Sequence, residues 1–484
     1  MRILAVDQGT TSTRGILFDQ DGRSQTVFSR EHRQSYPQPG WVEHDPGELL
    51  DNVRACFEAA AAAGGVTAAG IANQGESCLA WDADDGTPVG PVIVWQDSRT
   101  AGDIARLKAD GAEAMTLARA GLPLDPYFSA SKLGWIVRNN AHAQELAASG
   151  RLRLGTTDAF FRDRLTGRFE TDVATASRTS LLNLDTCQWD DELCALFGVP
   201  IDLLPKITPT SGALGTVVSG SVGTSLTASI VDQQAALYGH RCRQPGDVKI
   251  TFGTGAFALT VASAERPPSQ GGLLPTIAWQ KAGAPPVYAL DGGVYTVSAA
   301  INWARSVGLF EDFDEIAAFS GPTAAERGLY FVPALAGLAC PHWDRDARGS
   351  WLGLSLDTTR QDMVRAVLEG IAFRMAEVID AMNALQPISA PITIDGGMSA
   401  NAHFAQFLTD TLARGVRVSD EPELSALGVA MQAAEAAGTA IDRPPQGRTL
   451  TPAPQSAMLR EGFASARQAV QTFGAALTAQ TAAS

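Results

Sequence analysis

The sequence predicts an α/β protein of two related domains, with its working site in the cleft between them. Three observations carry this expectation. The chain has 484 residues, more than one ordinary hydrophobic core organises, so two domains are expected. Short apolar strand-like runs alternate with stretches of helical periodicity, as in α/β layers. A strand–turn–strand unit near the start also returns near mid-chain, the mark of an internal repeat.

In the first unit, Ile3 to Val6 read as a buried strand, followed by Asp7 and the turn Gly9-Thr10-Thr11-Ser12. A second strand runs from Gly15 to Phe18, and an Asp21-Gly22 hairpin leads to a third through Val27 and Phe28. In the second unit Val248 to Phe252 form a strand, Gly253-Thr254-Gly255 a turn and Ala256 to Val261 another strand. This places one domain at 1–240 and the other at 246–440, joined near His240 to Gly246. Beyond about Pro444 strand signals fade, and 441–484 read as an Ala-rich helical tail. The clearest helix spans 361–385, where Val364, Val367, Ile371, Met375, Val378 and Met382 form a core-facing stripe. The stretches from Pro200 to Gly223 and from Ala264 to Pro286, rich in Gly, Pro, Ser and Thr, read as loops.

Charge excludes one class of partner. The net charge is −15, and only five lysines occur, whereas nucleic-acid binding needs clustered cations. No apolar run reaches the roughly 18 residues of a membrane span, and the N-terminus lacks a signal peptide's apolar core, so a cytoplasmic location is expected. The six cysteines show no C-x-x-C pair and no zinc spacing, which fits free thiols in a reducing compartment. No protein-ligated metal site of the usual kinds is visible.

Three Gly-rich turns follow strands: Asp7 to Ser12, Phe252 to Gly255, and Asp395-Gly396-Gly397-Met398. Glycine lets backbone amides approach phosphate oxygens, and Thr and Ser hydroxyls add donors. Any one of these turns is equally well a tight hairpin. Three of them in two halves point to a polyphosphate between domains. No lysine follows a glycine, so there is no Walker loop. Gly253-Thr254-Gly255 with Ala258 imitates a dinucleotide fingerprint, but its continuation is a strand where a helix is required. Two carboxylates stand out. Asp7 ends the first strand beside hydroxyls, where it can hold Mg²⁺ through water. Asp232 stands between the apolar run Ala228 to Val231 and a helical segment, as a helix cap or as a catalytic base.

These motifs together resemble the FGGY carbohydrate kinases, and within them the glycerol kinase branch, from residue 3 to about 437. The resemblance rests on DQGTTSTRG at the first turn, YPQPGWVEHDP (Tyr36 to Pro46), SRTSLLNLDTCQWD (Ser177 to Asp190), DQQAALYG (Asp232 to Gly239) and PHWDRDARG (Pro341 to Gly349). One family signature is carried by Tyr127, Ser129, Lys132, Leu133, Trp135 and Ile136. The other is carried by Gly349, Trp351, Gly353, Leu354, Asp362, Met363, Ala366 and Glu369.

The resemblance implies two actin-like, RNase H-like ATPase domains that close over ATP and an alcohol. It implies Asp232 as the base and Asp7 as the organiser of Mg²⁺. Thr10, Thr11, Ser12, Arg14 and Thr254 would meet the phosphates, with Ser298, Asn302, Gly397 and Asn401 near the nucleotide. Glu76, Trp95, Tyr127, Asp232, Gln233 and Tyr295 would line the acceptor pocket. The expected reaction is ATP-dependent phosphorylation of a terminal hydroxyl of a small polyol or sugar. Glycerol leads, with erythritol, threitol, another larger polyol or a ketose as alternatives. A homodimer or homotetramer is in keeping with the resemblance. An actin-like ATPase of the chaperone or filament kind shares the phosphate turns, but it would lack the pocket segment from Asn73 to Tyr127.

The chain departs from the family at four places, the mildest being Ser298 and Asn302 where a glycine and a glutamine are expected near the nucleotide. Gly75 stands in Asn73-Gln74-Gly75-Glu76 where glycerol kinases carry an arginine, which implies a wider and less selective pocket unless another arginine, such as Arg99, reaches in. Tyr295 takes the place of a phenylalanine beside the substrate. The regulatory loop of some relatives is reduced to Ser219 to Thr224, so that form of inhibition is not expected.

Overall fold

The computed structural model describes residues 1–219 and 222–483. Its frame is two mixed sheets, of six and seven strands among the described residues. The first contains β1 (Arg2–Gln8), β2 (Ser12–Asp19), β3 (Ser24–Glu31), β4 (Ala68–Asn73), β5 (Ser211–Ser219) and β6 (Val222–Val231), in the order β5-β6-β4-β1-β2-β3. The second contains β7 (Val248–Phe252), β8 (Ala256–Val261), β9 (Leu274–Trp279), β10 (Val287–Val294), β11 (Ile392–Asp395), β12 (Val416–Val418) and β13 (Arg448–Leu450). Its order is β9-β10-β8-β7-β11-β12-β13.

The two sheets repeat one plan. In each, three antiparallel strands (β1, β2, β3; β7, β8, β10) are extended by two parallel ones (β4, β6; β11, β12) on the other side of the first strand. The repeat read from the sequence is therefore a repeat of topology, and the α/β fold class is as expected.

The helices that position the site are α1 (Pro46–Ala62), α2 (Thr157–Thr166), α3 (Asp232–Gly239), α4 (Ser298–Ser306), α5 (Arg360–Leu385), α6 (Ala402–Leu412), α7 (Leu424–Ala436) and α8 (Ala457–Ala483). Helices α1 and α2 cover one face of the first sheet through Leu49, Val53, Phe57, Phe160 and Phe161. The expected stripe on α5 is buried throughout and joins the second core, and a Thr359–Asp362 capping box starts that helix. A third core joins the halves. Helix α7, late in the chain, packs on α3 and on the first sheet, with Ala426, Val429 and Ala430 against Ile3, Val231 and Ala235.

Three expectations are corrected. The stretch from Pro200 to Gly223 holds strand Lys206–Thr208 and β5. Its glycines serve an irregular register between Ser211 and Gly215, with Gly212 and Gly215 at φ 153° and 128°. The stretch from Ala264 to Pro286 holds β9, an edge strand paired only with β10, where Pro275 is tolerated. The C-terminal segment is not solely helical: β13 extends the second sheet, and α8 buries Leu459, Phe463, Ala466 and Val470 in the second core. Of the reduced loop from Ser219 to Thr224, Gly220 and Ser221 lie outside the described residues. All six cysteines are free, and no helix among the described residues is long and apolar enough to cross a membrane.

Candidate active site

Asp232 stands where β6 hands over to α3. The strand runs to Val231, which takes the cap position without a side-chain bond. The Asp232 carboxylate is thus not the helix cap; its Oδ1 accepts the neighbouring Gln233 N–H at 2.7 Å. It faces a cavity of ≈ 180 Å³ between the two sheets. Burial, with Asp7 and Glu76 nearby, pushes its pKa up to about 7, against the pull of Lys249. A carboxyl held near neutrality in a cleft is suited to general-base work.

The same cavity gathers Thr10, Gly75, Glu76, Trp95, Tyr127, Gln233 and Thr254 from the expected set. Their placement is enforced. Glu76 sits at φ 58°, a left-handed conformation unusual for a non-glycine residue, and its carbonyl accepts the Ser129 hydroxyl at 2.8 Å. Trp95 donates its indole N–H to Thr10 Oγ1 at 3.0 Å and meets Tyr127 edge-on. Buried Lys132 donates to the carbonyls of Trp95 and Tyr127 at 3.2 and 2.8 Å, clamping both ring-bearing segments. Burial lowers its pKa to about 8.

The three Gly-rich turns have open faces. A Cβ at Gly397 would meet nothing within 4 Å, and at Gly9 and Gly253 the nearest atoms would be 3.6 and 3.8 Å away. Their neighbours are crowded instead: a Cβ on Gly255 would come within 2.7 Å of the Val294 carbonyl, and one on Gly396 would collide with that of Phe252. The second and third turns are thus pressed against their own sheet at one glycine and open at another, as a backbone cradle for phosphate requires. Thr11 is exposed and Ser12 partly so, and Gly9 N–H closes the first turn on the Ser12 carbonyl at 3.0 Å. Ser298 opens α4 beside the Gly253–Gly255 turn, and Asn302 lies exposed one turn further on.

Several expected residues are engaged by protein. Arg14 pairs with Asp7 Oδ2 at 2.7 Å and Glu423 at 2.5 Å, tying the first turn to the start of α7. Burial raises the Asp7 pKa despite that arginine. Asn401 caps α6 through Phe404 N–H and donates to the Ile316 carbonyl. Tyr295 lies off the main cavity, in a second chamber behind it. Three rings border both, Trp95 and Tyr127 from the first half of the chain and Phe257 from β8. Phe257 is paired with Gly293 across β8 and β10, where a Cβ would touch its ring at 3.0 Å.

Arg99 does not reach the cavity. It is held by Asp97 and Glu43 and stacked between Trp41 and Trp135. The arginine on the cavity wall is Arg178, which had no assigned role although it lies in the SRTS segment. Its Nε donates to Glu76 Oε1 at 2.7 Å, and its Nη2 stands 3.0 Å from Asp291 Oδ2. Asp291 and Lys249 were also missed. Both are charged residues inside largely apolar strands, which was the available signal. Lys249 Nζ donates to Gln233 Oε1 at 2.6 Å and to Thr251 Oγ1 at 3.0 Å, and Thr251 donates to Asp395 at 2.7 Å. His240, at the end of α3, contacts Asp395 and Thr393 at 3.2 and 2.7 Å, so the helix carrying Asp232 is bonded to the third Gly-rich turn.

Comparison with known proteins agrees with this geometry. The N-terminal domain model of the FGGY family of carbohydrate kinases matches residues 2–239, and the C-terminal domain model matches 248–437. A glycerol kinase of Rhizorhabdus wittichii is 42% identical over 447 residues, covering 90% of this chain and 88% of the relative. One of Thermus brockianus is 43% identical over 439 residues, 88% of each. Among solved structures, Plasmodium falciparum glycerol kinase with ADP superposes with a TM-score of 0.89 at 29% identity, covering 97% of this chain and 98% of that one.

Proposed function

Because the chain belongs to the FGGY family of carbohydrate kinases, we propose that it transfers the terminal phosphoryl group of ATP to a terminal hydroxyl of a small polyol. Glycerol, giving glycerol 3-phosphate, is the first acceptor to consider. The observation that carries this reading is the position of Asp232. It lines one cavity together with Glu76, Trp95 and Tyr127 and with the turn at Gly253–Thr254–Gly255.

In this reading Asp232 takes the proton of the acceptor hydroxyl as its oxygen bonds to the γ-phosphorus. The bond from phosphorus to the β–γ bridging oxygen breaks, and ADP leaves. Phosphoryl transfer of this kind needs alignment and charge neutralisation more than covalent help. Glu76 and Gln233 orient the hydroxyls, the Trp95 and Tyr127 rings exclude water, and backbone amides of the Gly9, Gly253 and Gly397 turns receive phosphate oxygens. The donor set also suits Mg²⁺, which keeps several waters and takes one or two carboxylates beside nucleotide phosphates. Asp7 is the carboxylate at hand, engaged by Arg14 only through Oδ2. When bound, the ion would neutralise charge on the transferring phosphates. The domain limits 1–240 and 246–440 follow from the same reading, as does a cytoplasmic place of action.

The test is ADP release by the purified protein with MgATP and glycerol, with the product identified as glycerol 3-phosphate. ADP release at the same rate with and without a polyol would overturn the proposal in favour of a plain ATPase. A pH prediction accompanies it. Asp232 accepts a proton only as the carboxylate, and its raised pKa leaves it protonated below about 7. kcat/KM should therefore fall on the acid side with an apparent pKa near 7 and level off above it. A profile flat from pH 5 to 8 would remove Asp232 as the base.

A further inference from the structure

We propose that Arg178 and Asp291 recognise the far end of the acceptor, and that the preferred acceptor is a polyol one hydroxylated carbon longer than glycerol. The inference rests on the polyol kinase reading and refines its substrate class. Arg178 comes from the first half of the chain and Asp291 from β10 of the second, and both are more than nine-tenths buried. The contacts to Glu76 and between the two residues use Nε and Nη2 of the arginine and one carboxylate oxygen. That leaves Arg178 Nη1 and Asp291 Oδ1 buried without a partner, one a donor and the other an acceptor. Buried charged groups are rarely left so, because each unsatisfied atom carries the full cost of its lost hydration.

Both residues border the main cavity and the chamber behind it, so they stand at the junction of the two. Beyond that junction the wall is aromatic and aliphatic, with Phe128, Leu274, Tyr295, Ala339 and Trp343. The chamber's other carboxylate, Asp125, is already engaged by Tyr127 N–H and Arg345. Recognition of a hydroxyl by charged groups can therefore extend to the Arg178–Asp291 pair, and no unengaged charged side chain lines the chamber past it. Arg178 also touches Glu76, so the two acidic groups and the arginine present consecutive sites to consecutive hydroxyls of one chain. A hydroxyl both accepts and donates, and a single one satisfies Nη1 and Oδ1 together. A ketone oxygen cannot, which favours a polyol over a ketose here. Gly75 supports the longer acceptor: it adds no side chain to the pocket, and even a Cβ there would stand 2.7 Å from Val231 Cγ2.

The test compares kcat/KM for glycerol, erythritol and the erythro isomer of 1,2,3-butanetriol, which keeps the four-carbon chain but lacks the last hydroxyl. The wild type should use erythritol at least as well as glycerol and at least about tenfold better than the butanetriol, since a site built for a hydroxyl rejects its deoxy analogue. In Asp291→Asn the preference for erythritol over the butanetriol should collapse. Glycerol strongly preferred, with erythritol no better than the butanetriol, would overturn the inference and leave the kinase reading standing. Phosphorylation of none of the three would overturn both. The wild-type comparison decides the matter by itself if the variant does not fold.

Discussion

Replacing Asp232 by Asn is expected to lower kcat on the best acceptor by about a hundredfold or more, the usual scale for loss of a general base, while leaving ATP binding nearly unchanged. The amide has the same shape and can still accept the Gln233 N–H, so the start of α3 should hold its place. It also removes a charge that burial and two nearby carboxylates oppose, so the fold should be no less stable. What is lost is the site for the proton. Steady-state kinetics with nucleotide affinity measured separately check this, and the acid limb near pH 7 should disappear together with the activity. Wild-type turnover in the variant would show that the proton leaves by another route.

Much of this site was legible before the structure because its parts are local. A strand that ends in a Gly-rich turn or a carboxylate announces itself within a few residues, as Asp7, Gly9 to Ser12, Asp232 and Gly253 to Gly255 do. The partnership of Arg178 with Asp291 does not, because it exists only once the two halves face each other. The place of Tyr295 was hidden for a related reason. That it lines the second chamber while Phe257 borders the main cavity depends on the register of β8 against β10, where Gly293 makes room for Phe257, and register is a pairing property that neither strand states alone. The edge strands β5 and β9 were hidden by the glycines and the proline that an edge tolerates and a central strand does not. Arg14 shows the opposite case: its position was legible, but its two carboxylate partners, one of them at the start of α7, were not.

Helix α7 is also the subject of the second large effect. Gly428→Ala is expected to destabilise the protein by at least about 3 kcal/mol, at or beyond the upper end of ordinary overpacking. Helices α3 and α7 cross backbone to backbone. A Cβ on Gly428 would overlap the Ala235 carbonyl and stand 2.7 Å from Gly239 N, and one on Gly239 would overlap the Leu424 carbonyl. These obstacles are main chain within two helices and cannot rotate aside, so the pair must separate. That would open the core which joins the halves, where Ala235 and Ala430 are fully buried. It would also shift the start of α3, where Ser425 Oγ donates to the Asp232 carbonyl at 3.3 Å, and with it the base. The melting temperature should fall by roughly 6–12 °C, at about 2–4 °C per kcal/mol for a domain of this size, and kcat should drop in whatever fraction stays folded. The control is Gly102→Ala in helix Ala101–Ala109, where a Cβ meets nothing within 4 Å. There the methyl group should raise stability by about 0.5–1 kcal/mol through helix propensity. Opposite signs from one chemical change would locate the close approach of α3 and α7 as the cause. A Gly428→Ala protein as stable and active as the wild type would mean that the two helices carry no tight contact in solution.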